Sequence, residues 1–454
     1  QELSDNGKLV VEDISMTAIP DMRHAYVRAF GKDYKELSDA WAEVLGYRPY
    51  LIEDYEVGVS ADKKAIAVTT LGADLFVAAD NNTSVEVIQA NPAGGAALKT
   101  LYSGDQYSTF QRLNSLQVVD NLTVAGVPGK KLIVGAAGNA NDWGFSIFDL
   151  NQTFDPASPF AHRMYVRHRE EGTDEPYDWP AARNYDPEKA AGGIAVLIDG
   201  DDIYAASDKT NQVYRYKAGD IAETAHQFDP VYDVDYYPEG LPTLYGVSNA
   251  LPLLGLAGKP ANASWFDPAQ DASTAASSVK LNFPVGIAKR DGYLYVSDSS
   301  NHRIRRVNLT TQQAETILGT ETREYGNILK PPTALEDGKL ADSAAKGFTD
   351  IDHTGGVPAD KARLAYPHSV VFDEAGNMLV ADTDHRRVRM LKDGKVYTLA
   401  GTDAGAPEVN GDSRRAGLGE VWSMALDHEG NLLIADGRTN KLRRLWLKPK
   451  SKQN

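Results

Sequence analysis

The chain has 454 residues, 42% apolar and 24% charged, with no cysteine and a formal net charge of −16 from 47 Lys and Arg against 63 Asp and Glu. That composition can bury a large core, and it excludes disulfides, thiolate metal sites and cysteine nucleophiles. The acidic excess makes nucleic acid an unfit partner for the surface as a whole, and no apolar run approaches the ~18 residues a membrane-spanning helix needs.

Residues 1–57 read as an N-terminal extension. Nothing in them reads as a targeting segment, so an address was either removed or never present; the setting expected is secreted, periplasmic or cell-envelope, with the signal peptide removed. Within the extension, Leu9 to Ile14 (LVVEDI) suits a strand. Residues 33–45 suit a helix, with Leu37, Trp41, Val44 and Leu45 on one face and Gly46 as a stop.

Repeats begin near residue 58 and run to 447, ahead of a basic tail at 448–454. Ala65 to Tyr102 offers four short strands with Asp80 in a turn and Val87 seven residues on. Leu116 to Val166 offers a second set without that spacing. Four clearer copies follow. In each, an aspartate ends a short apolar run and an arginine follows seven residues later: Asp208 and Arg215, Asp298 and Arg305, Asp382 and Arg389, Asp436 and Arg443. The spacing fits a strand, a tight turn and a return strand, the aspartate accepting N–H groups in the turn and the arginine within reach of an aspartate. This recurrence points to a structural network.

A second recurrence, Leu256-Ala257-Gly258, Ile317-Leu318-Gly319 and Leu399-Ala400-Gly401, marks the expected end of an outermost strand. Units of four strands and about 40 to 50 residues define propeller blades. The predicted fold is therefore an all-β, six-bladed β-propeller with two long loop insertions. The last blade has only three strands, so a strand from the N-terminal extension, Leu9 to Ile14, is expected to complete it.

Asn301-His302-Arg303, with Asp384-His385-Arg386 as a variant, resembles the Asn-His-Leu turn of the NHL-repeat β-propellers. On that alignment His302 and His385 share one turn position. The resemblance is strong from about 250 to 446, weaker from 60 to 216 and absent from 1 to 57. It implies a propeller used as a binding platform, a scaffold or, in some members, an enzyme.

The first residues of each inner strand face a propeller's channel. Matching Pro284-Val285-Gly286 with Pro367-His368-Ser369, Val421-Trp422-Ser423 and Ala191-Gly192-Gly193 nominates Val285, His368, Ser369, Trp422 and Ser423. Tyr366-Pro367-His368-Ser369 resembles a channel segment of the peptidyl-hydroxyglycine amidating lyases, which implies zinc held by three such histidines. The other aligned positions carry Val285, Trp422 and Gly192, which departs from that set. Loop candidates are Arg167, His168, Tyr177 and Trp179 in the insertion 155–191, and Asp352 and His353 in the insertion 321–361. Asp233, Asp235 and Glu239 form a third acidic group. Calcium or zinc is conceivable at these groups, though no EF-hand spacing or HExxH motif occurs.

Two readings follow. The first is a non-catalytic scaffold in an exported or envelope setting that binds a protein partner or an extracellular ligand. The second is a channel-site enzyme, similar to an amidating lyase or a lactonase.

Overall fold

The computed structural model describes residues 50–81, 83–105, 112–137, 144–151, 163–168, 194–207, 210–224, 244–248, 251–256, 271–319, 357–360, 362–401, 410–413 and 416–448. Residues 1–49 lie wholly outside them, as do the strand and helix expected there.

The described residues form six blades around a ring, antiparallel within each repeat. The inner strands, in order, are Lys64–Leu71, Arg112–Val119, Ala195–Asp199, Pro284–Arg290, Pro367–Phe372 and Ser423–Leu426. No single core exists. Six buried apolar clusters among the described residues lie in the seams between successive blades, the last joining the sixth blade to the first. Each blade therefore buries both faces, and its second strand reads as a continuous apolar run rather than an alternating one. In Leu432–Ala435, Leu432 and Ile434 enter the seam with blade 5, while Leu433 and Ala435 enter the seam with blade 1.

The sixth blade is built from both ends of the chain. Leu51–Tyr55 pairs antiparallel with Leu442–Trp446, with Ile52 opposite Leu445 and Asp54 opposite Arg443. This is the borrowed strand. Ile52 is 1% exposed in the seam with blade 5, and Asp54 lies 3.2 Å from Arg443 Nε.

The third blade does something the repeats do not announce. After its third strand, Gln212–Lys217, the chain adds Ala222–Thr224 and Leu244–Ser248 to the outer edge of the second blade, then returns to finish its own sheet with Leu251–Leu254. The contact with Arg163–His168 is parallel, unlike the antiparallel pairing within the blades.

The Asp-x6-Arg spacing forms a buried clasp in blades 4 and 5. Asp298 accepts from the Asn282 N–H at 2.7 Å, from Asn301 Nδ2 at 2.9 Å and from Arg305 Nε at 3.1 Å. Asp382 accepts from the Ala365 N–H at 2.8 Å, from His385 Nδ1 at 2.8 Å and from Arg389 Nε at 2.9 Å. Each arginine then donates Nη1 to a threonine of the fourth strand, Thr316 or Thr398. The clasp thus ties the lead-in of the inner strand, the turn and the fourth strand together.

The other copies differ. In blade 6 the register places Asp54 where the others carry threonine, and Arg443 meets that carboxylate; Asp436 Oδ1 accepts from the Arg438 N–H. In blade 3 Arg215 lies 3.8 Å from Asp202, and Asp208 is outside the described residues.

These contacts correct the turn alignment. Asn301 and His385 are the equivalent pair, both bound to the clasp aspartate. His302 instead matches Arg386 and Asn211, all three in the left-handed region with φ of 57°, 54° and 55°. In blades 4 and 5 the equal Asp-x6-Arg spacing fixes this register, whereas in blade 3 the ladder does, setting Ser207 and Tyr214 level with Asp298 and Arg305, one residue before the spaced Asp208 and Arg215; the shared His-Arg letters misled by one position.

Gly255, Gly319 and Gly401 cross over those left-handed residues. A Cβ there would meet the carbonyl oxygens of Asn211, His302 and Arg386 at 2.5, 2.1 and 2.2 Å, and all three glycines have positive φ. The blade 3 member is therefore Gly255 rather than Gly258, since Leu251–Leu254 ends three residues before the expected mark. Gly401→Ala is expected to cost more than Gly394→Ala: both carry the ~1–2 kcal/mol left-handed penalty, but nothing lies within 4 Å of a Cβ at Gly394. Urea denaturation of the two variants checks the difference.

Candidate functional site at the channel mouth

Each inner strand begins with the same irregularity. The ladder shifts register at Ala65/Ala67, Leu113/Ser115, Pro284/Gly286 and Pro367/Val370. In blades 3 and 6 the Ile194 and Trp422 N–H groups bond to carbonyls whose residues pair with the next position. A bulge re-aims one side chain out of the pleat. Here the residues so placed are Ile66, Asn114, Ile194, Val285, His368 and Trp422. Five of them line a cavity of about 870 Å³ at the end of the ring where the inner strands start. Val285 lines a narrower space of about 70 Å³ further along those strands, with Asn114 and Trp422.

His368 is 5% exposed, and its ring stands edge-on to Trp422 with centroids 4.6 Å apart. Burial lowers its pKa from the usual imidazole value to about 3, so it is neutral at physiological pH. Its Nδ1 has no hydrogen-bond partner among the described residues. Asn114 donates Nδ2 to the Val285 carbonyl at 2.8 Å, which turns its one acceptor oxygen away from that bond.

Ser369 and Ser423 act between blades. Ser369 Oγ accepts from the Met424 N–H at 3.1 Å, and Ser423 Oγ accepts from the Val68 N–H at 3.2 Å. Ser115, at the same step in blade 2, accepts from Val196. These hydroxyls stitch neighbouring inner strands together where the bulges interrupt the ladders.

Two aromatic residues form a lip. Phe283 and Tyr366 immediately precede inner strands, line the cavity and have φ of 55° and 45°. Bulky residues rarely occupy that region, and such strain persists only where the surroundings hold it. The Phe283 N–H donates to Asn211 Oδ1 at 2.9 Å, and the Tyr366 N–H donates to His302 Nδ1 at 3.1 Å. His302 can accept because burial lowers its pKa to about 3. Each lip residue is thus held by the left-handed turn residue of the preceding blade. The strings Phe283-Pro284 and Tyr366-Pro367 carry this signal in the sequence.

The rim is acidic. Asp62, Asp80, Asp384 and Glu420 line the cavity with one cation, Lys64. Lys64 faces Asp80 in the first blade's ladder, and Asp62 accepts from Asn81. Asp384 and Glu420, from blades 5 and 6, have no ion pair among the described residues. Burial, followed by the charge of Glu420, raises Asp384 to about 6.

The aligned position Ala191-Gly192-Gly193 lies outside the described residues, and the blade 3 member of the set is Ile194, two residues later. Asn114, Ile66, Asp384 and Glu420 escaped the sequence reading. Arg167 and His168 fall in the fourth strand of blade 2, with side chains outside the description. Tyr177, Trp179, Asp352, His353, Asp233, Asp235 and Glu239 lie outside the described residues. The three-histidine zinc set does not fit this mouth, because His368 is the one imidazole among the six bulge positions. No group of three or more His, Cys, Asp or Glu suited to a metal occurs among the described residues. Among them, too, no helix is long and apolar enough to cross a membrane.

No protein-family model matches the chain. Among curated proteins it is similar to NHL repeat-containing protein 2 of Bos taurus, 23% identical over 195 residues, covering 38% of this chain and 23% of that protein. It is also similar to Protein SUPPRESSOR OF QUENCHING 1, chloroplastic, of Arabidopsis thaliana, 26% identical over 135 residues, 28% of this chain and 10% of that one. The chain thus spans a quarter or less of these relatives. Among solved structures, an auxiliary nutrient binding protein from Bacteroides thetaiotaomicron superposes with a TM-score of 0.48 and 14% identity, over 88% of this chain and 77% of that chain. A streptogramin B lyase superposes with a TM-score of 0.42 and 10% identity, over 88% and 98%. The chain is a six-bladed β-propeller, and its repeats are similar to those of the NHL repeat-containing protein.

Proposed function

We propose that this propeller is a non-catalytic binding module that takes a ligand, or a projecting group of a protein partner, into the channel mouth. The observation that carries this reading is the 870 Å³ cavity itself, lined by the buried, neutral His368 and rimmed by Phe283, Tyr366 and Trp422. Concave sites lined by apolar and aromatic groups, with a few placed polar atoms, are what ligand recognition uses. The bulges and the inter-blade serines hold the site rigid, so binding would order little that is not already ordered.

The same proposal keeps the exported or envelope setting, where a ring closed by a borrowed strand needs no disulfide. Fractionation of cells expressing the full-length protein tests that part.

A thermal-shift screen of small polar and aromatic compounds tests the site. Compounds that raise the melting temperature of the wild type are expected to lose most of that shift in His368→Ala and Trp422→Ala. Hits that shift both variants as much as the wild type would place binding elsewhere and overturn the reading.

A further inference from the structure

The mouth has a chemical preference written into its lining. Asp384 and Glu420 come from adjacent blades, converge on one cavity and, among the described residues, have no cationic side chain paired with them. Beside them stand three aromatic residues, Phe283, Tyr366 and Trp422. The lining also holds the neutral imidazole of His368 and the side-chain amide of Asn114. Carboxylates and aromatic ring faces favour a group that donates hydrogen bonds and carries positive charge.

We propose that the channel mouth selects an organic cation, a primary ammonium or guanidinium group, seated between Asp384 and Glu420 and against the aromatic lip. The inference deepens the binding reading above and rests on it. Lys64, on the first blade, already has a carboxylate of its own blade beside it, since the ladder sets it opposite Asp80. A neutral ligand would leave two like charges facing each other across the mouth. A cation removes that repulsion.

The charge state gives the pH dependence. Asp384 faces Glu420 from blade 6, with Asp382, His385 and Arg386 of its own turn around it. Its raised value means that a proton and a cationic ligand compete for the same carboxylate, so affinity rises as pH increases through about 6. The imidazole of His368, lowered to about 3, does not titrate in this window.

The test uses four probes on the whole chain by isothermal titration: agmatine, cadaverine, the peptide Gly-Arg-Gly and its citrulline counterpart Gly-Cit-Gly. The free amines and the arginine peptide separate a small-molecule source from a protein side chain, and citrulline keeps the shape without the charge. At pH 7.5 at least one cationic probe is expected to bind while the citrulline peptide does not. Asp384→Asn and Glu420→Gln are each expected to weaken that binding at least tenfold, and lowering the pH to 5 to weaken it likewise. Melting temperatures of both variants at or above the wild type would show that the loss is not misfolding.

Citrulline and arginine peptides bound equally, with sensitivity to Trp422→Ala and none to Asp384→Asn, would overturn the cation inference and leave the mouth as a binding site. Failure of every cationic probe to bind would also overturn it. Failure of both the probes and the compound screen would overturn the two readings together.

Discussion

Replacing Asp382 by Ala is expected to destabilise the propeller by about 3–5 kcal/mol, because it strands Arg389 inside a seam where water cannot compensate it. Asp382 is fully buried and anchors three elements at once: the Ala365 N–H, His385 and Arg389. The double variant Asp382→Ala with Arg389→Met is expected to recover much of the loss, since apolar replacement of both partners removes the uncompensated charge. Urea denaturation of the single and double variants measures this. A single variant as stable as the wild type, or a double variant no better than the single, would mean that the clasp carries little. The acid side has a defined sign. Burial alone would raise Asp382, but His385, Arg389 and the Ala365 N–H outweigh it and hold it at about 2. The clasp's contribution is therefore complete above about pH 4 and is lost as pH falls from there towards 2.

The second large effect concerns closure. Ile52→Asp is expected to cost several kcal/mol, since it puts an unpaired carboxylate at a position that is 1% exposed in the seam between blades 5 and 6. The consequence is not confined to packing. Leu51–Tyr55 is hydrogen-bonded on both sides, to Leu442–Trp446 and to Gly411–Asp412, so releasing it bares the edge of the last blade. A bared edge pairs with other chains. The variant should therefore melt earlier and associate, measured by light scattering through the melt, whereas Ile52→Val should do neither. An Ile52→Asp protein that stays monomeric with an unchanged melt would show that the ring does not depend on this strand.

The fold was legible because its hardest-working geometry is local. A strand, a turn and a return strand of fixed length place Asp298 and Arg305, or Asp382 and Arg389, together with no help from the rest of the chain. The closing strand was not legible in this way. The sequence reading put it at Leu9 to Ile14, outside the described residues, and only the ladder shows Leu51–Tyr55 beside the last strand, with Ile52 turned inward and Asp54 meeting Arg443. The channel mouth was half legible. His368 and Trp422 emerged from aligned copies, while Ile194 was missed by two residues and Asn114 was missed because blade 2 lacks the aspartate that sets the register. Asp384 and Glu420 belong to different blades, and only the curvature of the ring makes them neighbours. Such pairings have no spacing to read.

The strands that the third blade lends to the second have a bearing on how the ring comes apart. Repeat proteins behave approximately as chains of neighbours, each unit contributing its own stability and that of its interfaces. Ala222–Thr224 and Leu244–Ser248 break that additivity at one place, because blade 2 carries its outer edge on a loop anchored at both ends in blade 3. Neither blade can leave without taking the other's strands with it. The ring is in this sense five cooperative blocks rather than six, and a nick in the link between blades 2 and 3 would leave them joined.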